Sequence, residues 1–328
     1  MPGTDPAEAM RIVAGELPAF PYLPELPDRG PGADLTGRTA ALLVDMPVEV
    51  TPRGWRLAER PGKDLSRART MLSSDLDVLE EALQGYEGPV KIQVCGPWTL
   101  AATLELTRTM NAALADPGAV QELAASLAEG AAAHARDVAK RLPRTQVLVQ
   151  FDEPALPAVA QGRVPSASGI SRLPAIEEDT LRERLAHVLS SNPGYTIVHC
   201  CDSAMPFGII KGAGAGGVSF DLSRLRRGEE DAVGEAAEAG MGLLVGAVPT
   251  VHDGDGETAK SGGTSAARRV TRLWHGLGLP PDASQVVVTP GCGLAGATPA
   301  RARGALARCR EAAAVLPEMI AETEGERG

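Results

Sequence analysis

Three features of this sequence predict a parallel α/β barrel. Six short apolar runs, at 90–95, 146–151, 195–198, 218–222, 242–248 and 285–289, have the length of buried strands. Helical patterns lie between them. Polar residues able to do chemistry fall just after the runs: Trp98, Asp152, His199, Cys201, Asp221, His252 and Cys292. Near-continuous apolar strands alternating with helices imply a parallel sheet covered on both faces. A doubly wound sheet uses one crevice, whereas a closed barrel gathers the ends of strands remote in order at its C-terminal face. The expected fold is therefore α/β, a (β/α)8 barrel of the TIM type.

Taken in order, residues 1–62 read as an irregular, Pro-rich N-terminal part. Within it Phe20-Pro-Tyr-Leu-Pro-Glu25 is a candidate seventh, extended piece, confined by its prolines to an edge or a strand start. Residues 63–328 alternate regularly. Asp64 is the expected cap of a helix reaching about residue 84. Asp116-Pro117 opens a helix running towards Arg141, and Thr298-Pro299 opens another that continues past Cys309, each with a capping side chain followed by proline at the first helical position. Gly212-Ala-Gly-Ala-Gly-Gly217 matches the letters of a dinucleotide fingerprint, but it closes a helix and precedes a strand, the reverse of what that motif needs. It reads as a tight turn.

At 328 residues the chain fits one catalytic barrel domain spanning 1–328, since no linker or change of composition divides it. An apolar share of 44% supports a large core. The net charge of −10 argues against nucleic acid or an anionic membrane as partner. No run approaches a membrane span and no signal-peptide pattern opens the chain. Five cysteines, two of them adjacent, form no disulfide framework, so a reducing, cytoplasmic setting is expected.

The chemistry centres on Tyr195-Thr-Ile-Val-His-Cys-Cys-Asp202. Side chains alternate along a strand, so His199 and Cys201 share a face and Cys200 takes the other. Cys292 follows the 285–289 strand in the same way. One imidazole and two thiolates suit tetrahedral zinc. Asp221 is either a fourth ligand or a cap paired with Arg224. Asp152 and Glu153, adjacent carboxylates at a strand end, can hold a substrate ammonium group, act as a base, or cap the next segment. His252 is either a general acid or a solvated loop residue. Cys95, Cys200 and Cys309 read as core.

Four stretches, Gly96-Pro-Trp-Thr99, Phe151-Asp-Glu-Pro-Ala-Leu156, Val198-His-Cys-Cys201 and Pro290-Gly-Cys-Gly-Leu294, resemble the cobalamin-independent methionine synthase family in its C-terminal catalytic barrel. The resemblance runs over nearly the whole chain. It implies a zinc-dependent methyltransferase carrying a methyl group to a homocysteine-like thiol, with His199, Cys201 and Cys292 as zinc ligands. Asp152 would hold the substrate amine, with Glu153 and Trp98 beside it, and His252 would be the acid near the donor. The donor would be a methyl-folate or a methyl-corrinoid on a partner protein. Alternatives are a thiol alkyltransferase using another electrophile, a decarboxylase-like lyase without zinc, and a non-catalytic zinc or methyl-carrier binding protein. Three departures stand out. The family's carboxylate ligand is Glu where this chain has Asp221; its N-terminal second barrel has no counterpart here; and Met1-Pro-Gly-Thr4 corresponds to the end of the family's first strand, so a barrel short of that strand is expected.

Overall fold

The computed structural model of the protein describes residues 1–250 and 262–322. Helix α1 (Pro6–Glu16) opens the chain, capped by Asp5, whose side chain accepts from the amides of Ala7 and Glu8. Helix α2 (Leu35–Ala40) and an antiparallel hairpin, β1 (Val48–Thr51) with β2 (Gly54–Leu57), follow. Residues 1–62 are thus more ordered than their proline content suggests. The prolines start elements rather than interrupt them: Pro6 begins α1, and Pro27 and Pro31 each begin a short 3-10 turn.

Helix α3 (Lys63–Ala82) has Gly62 at its cap position with no capping side chain. Asp64 instead accepts the amide of Val50 at 3.1 Å and ties α3 to β1, so its expected role as the cap is corrected. From there strand and helix alternate: β3 (Gly88–Cys95), α4 (Pro97–Thr103), α5 (Pro117–Arg141), β4 (Thr145–Asp152), α6 (Leu156–Ala160), α7 (Glu178–Ser190), β5 (Tyr195–Cys200), α8 (Phe207–Gly212), β6 (Gly217–Asp221), α9 (Glu230–Glu238), β7 (Gly242–Val248), α10 (Gly263–Gly276), β8 (Val286–Pro290) and α11 (Pro299–Ala321). Asp116 and Thr298 cap α5 and α11 as their sequences predict. The glycine run at 212–217 joins α8 to β6, a turn with Gly214 at φ +80.

Strands β3 to β8 form one parallel sheet in sequential order. Pro21–Leu23 extends it at the β3 edge: Lys91 donates its amide to Pro21 O, and Leu23 donates to Lys91 O. The Pro-rich segment therefore supplies a short seventh strand position, as anticipated. The sheet is strongly curled. Strands lie about 4.8 Å apart, so β5 and β8 would stand about 14 Å apart in a flat sheet, yet sulfurs carried just beyond their ends are 3.1 Å apart. The fold is a TIM-type barrel, with no pairing between β8 and the N-terminal edge among the described residues. Glu16 of α1 takes Arg303 and Arg310 of α11, each at 2.7 Å, and fastens the first helix to the last. Among the described residues, no helix is long and apolar enough to cross a membrane.

Candidate metal centre

The end of β5 carries the centre. His199 and Cys201 emerge on the same face, as strand alternation requires, while Cys200 is fully buried on the other. Cys292 arrives from the turn after β8. The imidazole and the two sulfurs offer ligand atoms that all lie within 4.8 Å of one another. What lets Cys292 come this close is the absence of side chains behind it. A Cβ on Gly246 of β7 would sit 2.7 Å from the Cα of Gly291, and one on Gly291 would sit 2.9 Å from the carboxyl carbon of Asp221. The β8 turn thus folds flat over β6 and β7.

Three donors of this kind fit zinc. A tetrahedral ion with Zn–S bonds of about 2.3 Å spaces two sulfurs about 3.8 Å apart, and the sulfurs here stand at 3.1 Å, joined by a hydrogen bond. The two thiols and the imidazole act on one another: Cys201 and the neighbouring His199 lower the pKa of Cys292, while Cys292 and burial raise that of Cys201. His199 holds Ser219 Oγ at 2.9 Å through Nδ1, which leaves Nε2 to face a metal. Ser219 sits opposite His199 in the β5–β6 register. Sequence reasoning missed it, although a serine two residues before Asp221 on the same strand face was the available signal.

Asp221 does not join the group. Its Oδ1 accepts the amide and hydroxyl of Ser223, at 2.8 and 2.6 Å, and Arg224 lies at 3.8 Å. It caps the turn after β6 and walls the Gly291 backbone, which is the alternative reading of this residue. His252 lies outside the described residues.

Asp152 pairs with His199 across β4 and β5 and points into the barrel. Burial raises its pKa, while His199, Lys91 and a hydrogen bond from Gln150 oppose that rise. Glu153 points the other way. It is fully buried, and its carboxylate accepts the amides of Trp98 (2.9 Å) and Thr99 (2.7 Å) and the hydroxyl of Thr99 (2.7 Å). Thr99 Oγ1 in turn accepts the amide of Ala155. Burial lifts Glu153 to about 7 against these donors. Trp98 is also fully buried, its indole donating to Leu181 O of α7 at 3.0 Å. Both side chains are taken up in the barrel wall, by the contact of β4 with α4 and of α4 with α7. Gly96 completes this clasp, since a Cβ there would fall 2.4–2.5 Å from the Glu153 side chain. The Gly96–Thr99 and Asp152–Leu156 stretches are thus two halves of one structural contact, from which Asp152 alone projects inward.

The fold and the centre together define a class: a parallel barrel with a cysteine–imidazole group able to hold a metal at the C-terminal ends of its strands. The chain belongs to the cobalamin-independent synthase catalytic-domain family, whose model matches residues 2–315. Among solved structures it is similar to a B12-independent methionine synthase from Shewanella sp. W3-18-1 in complex with selenomethionine. The two share 17% identity with a TM-score of 0.52, over 75% of this chain and 66% of that one, just under two thirds of the longer protein. Two mandelate oxidase structures align with TM-scores of 0.28 and 0.31, too low to carry an argument. No curated protein matches.

Proposed function

We propose that this protein transfers a methyl group to the sulfur of a homocysteine-like amino acid at a zinc centre held by His199, Cys201 and Cys292. The observation that carries this reading is the convergence of those three side chains, from strands three apart in the sheet, on one point at the barrel mouth. Family membership and the likeness to a methionine synthase support it. Zinc bound there supplies a lowered pKa to a coordinated thiol, making it a nucleophile at neutral pH. Cys201 and Cys292 are anionic ligands that keep such a sulfur electron-rich, and Ser219 keeps the His199 ring in register. Asp152, the register neighbour of His199, would take the substrate ammonium group and so aim the sulfur at the methyl carbon. One S–C bond forms as the methyl's bond to its donor breaks, and the donor keeps that electron pair. With a methyl-folate the leaving nitrogen takes up a proton, for which His252 is the proposed source; with a methyl-corrinoid it needs none.

Metal analysis of the purified protein tests the reading, wild type against Cys292→Ser. About one zinc per chain is expected, as one set of protein ligands implies, and the variant should lose most of it. Incubation with homocysteine and each donor then separates folate from corrinoid. Zinc without methyl transfer from either donor would favour a binding protein over an enzyme.

A further inference from the structure

The inward faces of β3 and β4 carry a row of polar side chains where barrels of this type are usually filled with branched apolar ones. Gln93 and Gln150 are opposite in the register and Asp152 lies two residues beyond Gln150, so alternation places Lys91, Gln150 and Asp152 on the face that also carries His199. Lys91 Nζ donates to Gln150 Oε1 at 2.9 Å, and Gln150 Nε2 donates to Asp152 Oδ1 at 2.6 Å. An ammonium can only donate and a carboxylate can only accept, so Lys91 leaves the amide a single orientation, nitrogen towards Asp152. Asp152 Oδ2 accepts from no group among the described residues. Lys91 is itself held 5.3 Å from the centre of the Tyr22 ring, on the segment that pairs with its backbone.

We infer that Lys91 and Gln150 are positioning residues that pin one oxygen of Asp152 and turn the other to the pocket, making the site selective for thiols that carry an amine over thiols that do not. The inference rests on the proposed thiol site and adds what sets its specificity. Burial lowers the pKa of Lys91, and Asp152 and Glu25 oppose that fall.

The test uses the full chain with cobalt(II) in place of zinc, where binding of a thiolate is read from its charge-transfer absorption without any methyl donor. Homocysteine is titrated against 4-sulfanylbutanoate, the same thiol acid without its amine, in wild type, Lys91→Met and Gln150→Met. The last variant is close in size, offers no donor to Asp152 and adds no charge beside it. Wild type should prefer homocysteine by about 10-fold or more, the size of a charged hydrogen bond. In both variants that preference should collapse through weaker homocysteine binding alone, with metal content unchanged. If either variant keeps the preference, or both thiols weaken together, the inference is overturned and the row is merely structural. Thiol binding by wild type without an amine preference overturns the inference and leaves the thiol site standing; no thiol binding at all removes both.

Discussion

Replacing Glu153 by Gln probes the clasp between β4 and α4, and its effect should depend on pH in a definite direction. The wild-type carboxyl has a pKa of about 7 in the folded protein against an ordinary 4.5, because it is buried. Below 4.5 both folded and unfolded chains hold the proton, and the group costs nothing. As pH rises, the unfolded chain ionises first, so stability falls until the folded carboxyl ionises near 7. The total loss is about 3 kcal/mol. Gln does not titrate and escapes it. However, its amide nitrogen must face the amide of Trp98 or Thr99, at the cost of one hydrogen bond to a buried group, about 2 kcal/mol at any pH. By pH 5 wild type has already lost about 1 kcal/mol, so Glu153→Gln should be less stable than wild type there by about 1 kcal/mol, and more stable by about 1 kcal/mol at pH 8. Urea unfolding of both proteins, with chelator present throughout, reads the difference, and contributions from other titrating groups cancel. A difference that stays constant from pH 5 to 8 would refute the reasoning, because it would mean the three donors keep Glu153 ionised throughout.

Ser219→Ala should weaken zinc binding about 10- to 100-fold, as losing a ligand's hydrogen-bond partner does; competition against a chromophoric chelator measures this, and unchanged affinity would show that Ser219 does not orient His199. Gly96→Ala places a methyl 2.4–2.5 Å from the Glu153 side chain and must dislodge it, for a loss of about 2–4 kcal/mol in urea unfolding. Asp75 accepts two hydrogen bonds from Arg29 and one from Arg38, all between 2.6 and 2.8 Å. Asp75→Asn leaves Arg38 buried with only Glu25 at 3.5 Å, so a loss of about 3–5 kcal/mol is expected. A variant as stable as wild type would show that this pair contributes nothing net.

The alternation of apolar strands and capped helices was legible from the chain alone, because both depend on neighbours close in sequence. Side chains two apart on a strand share a face, so the His199–Cys201 pair was legible too. So were the Asp116 and Thr298 caps, whose partners lie within three residues. Tertiary packing decided everything that depends on residues far apart. Asp64 looks like a cap until β1 brings the Val50 amide to it. Asp152 and Glu153 are equivalent as letters, yet one faces the barrel interior and the other is taken by α4, since adjacent strand residues point to opposite sides and only the fold says what lies on each. Asp221 is held by Ser223, two residues on, a local contact that only the turn after β6 decides. Cys292 could reach the His199–Cys201 pair only because the sheet curls and two glycines let its turn lie flat. Strand order and curvature, which no local pattern encodes, turn three scattered ligands into one centre.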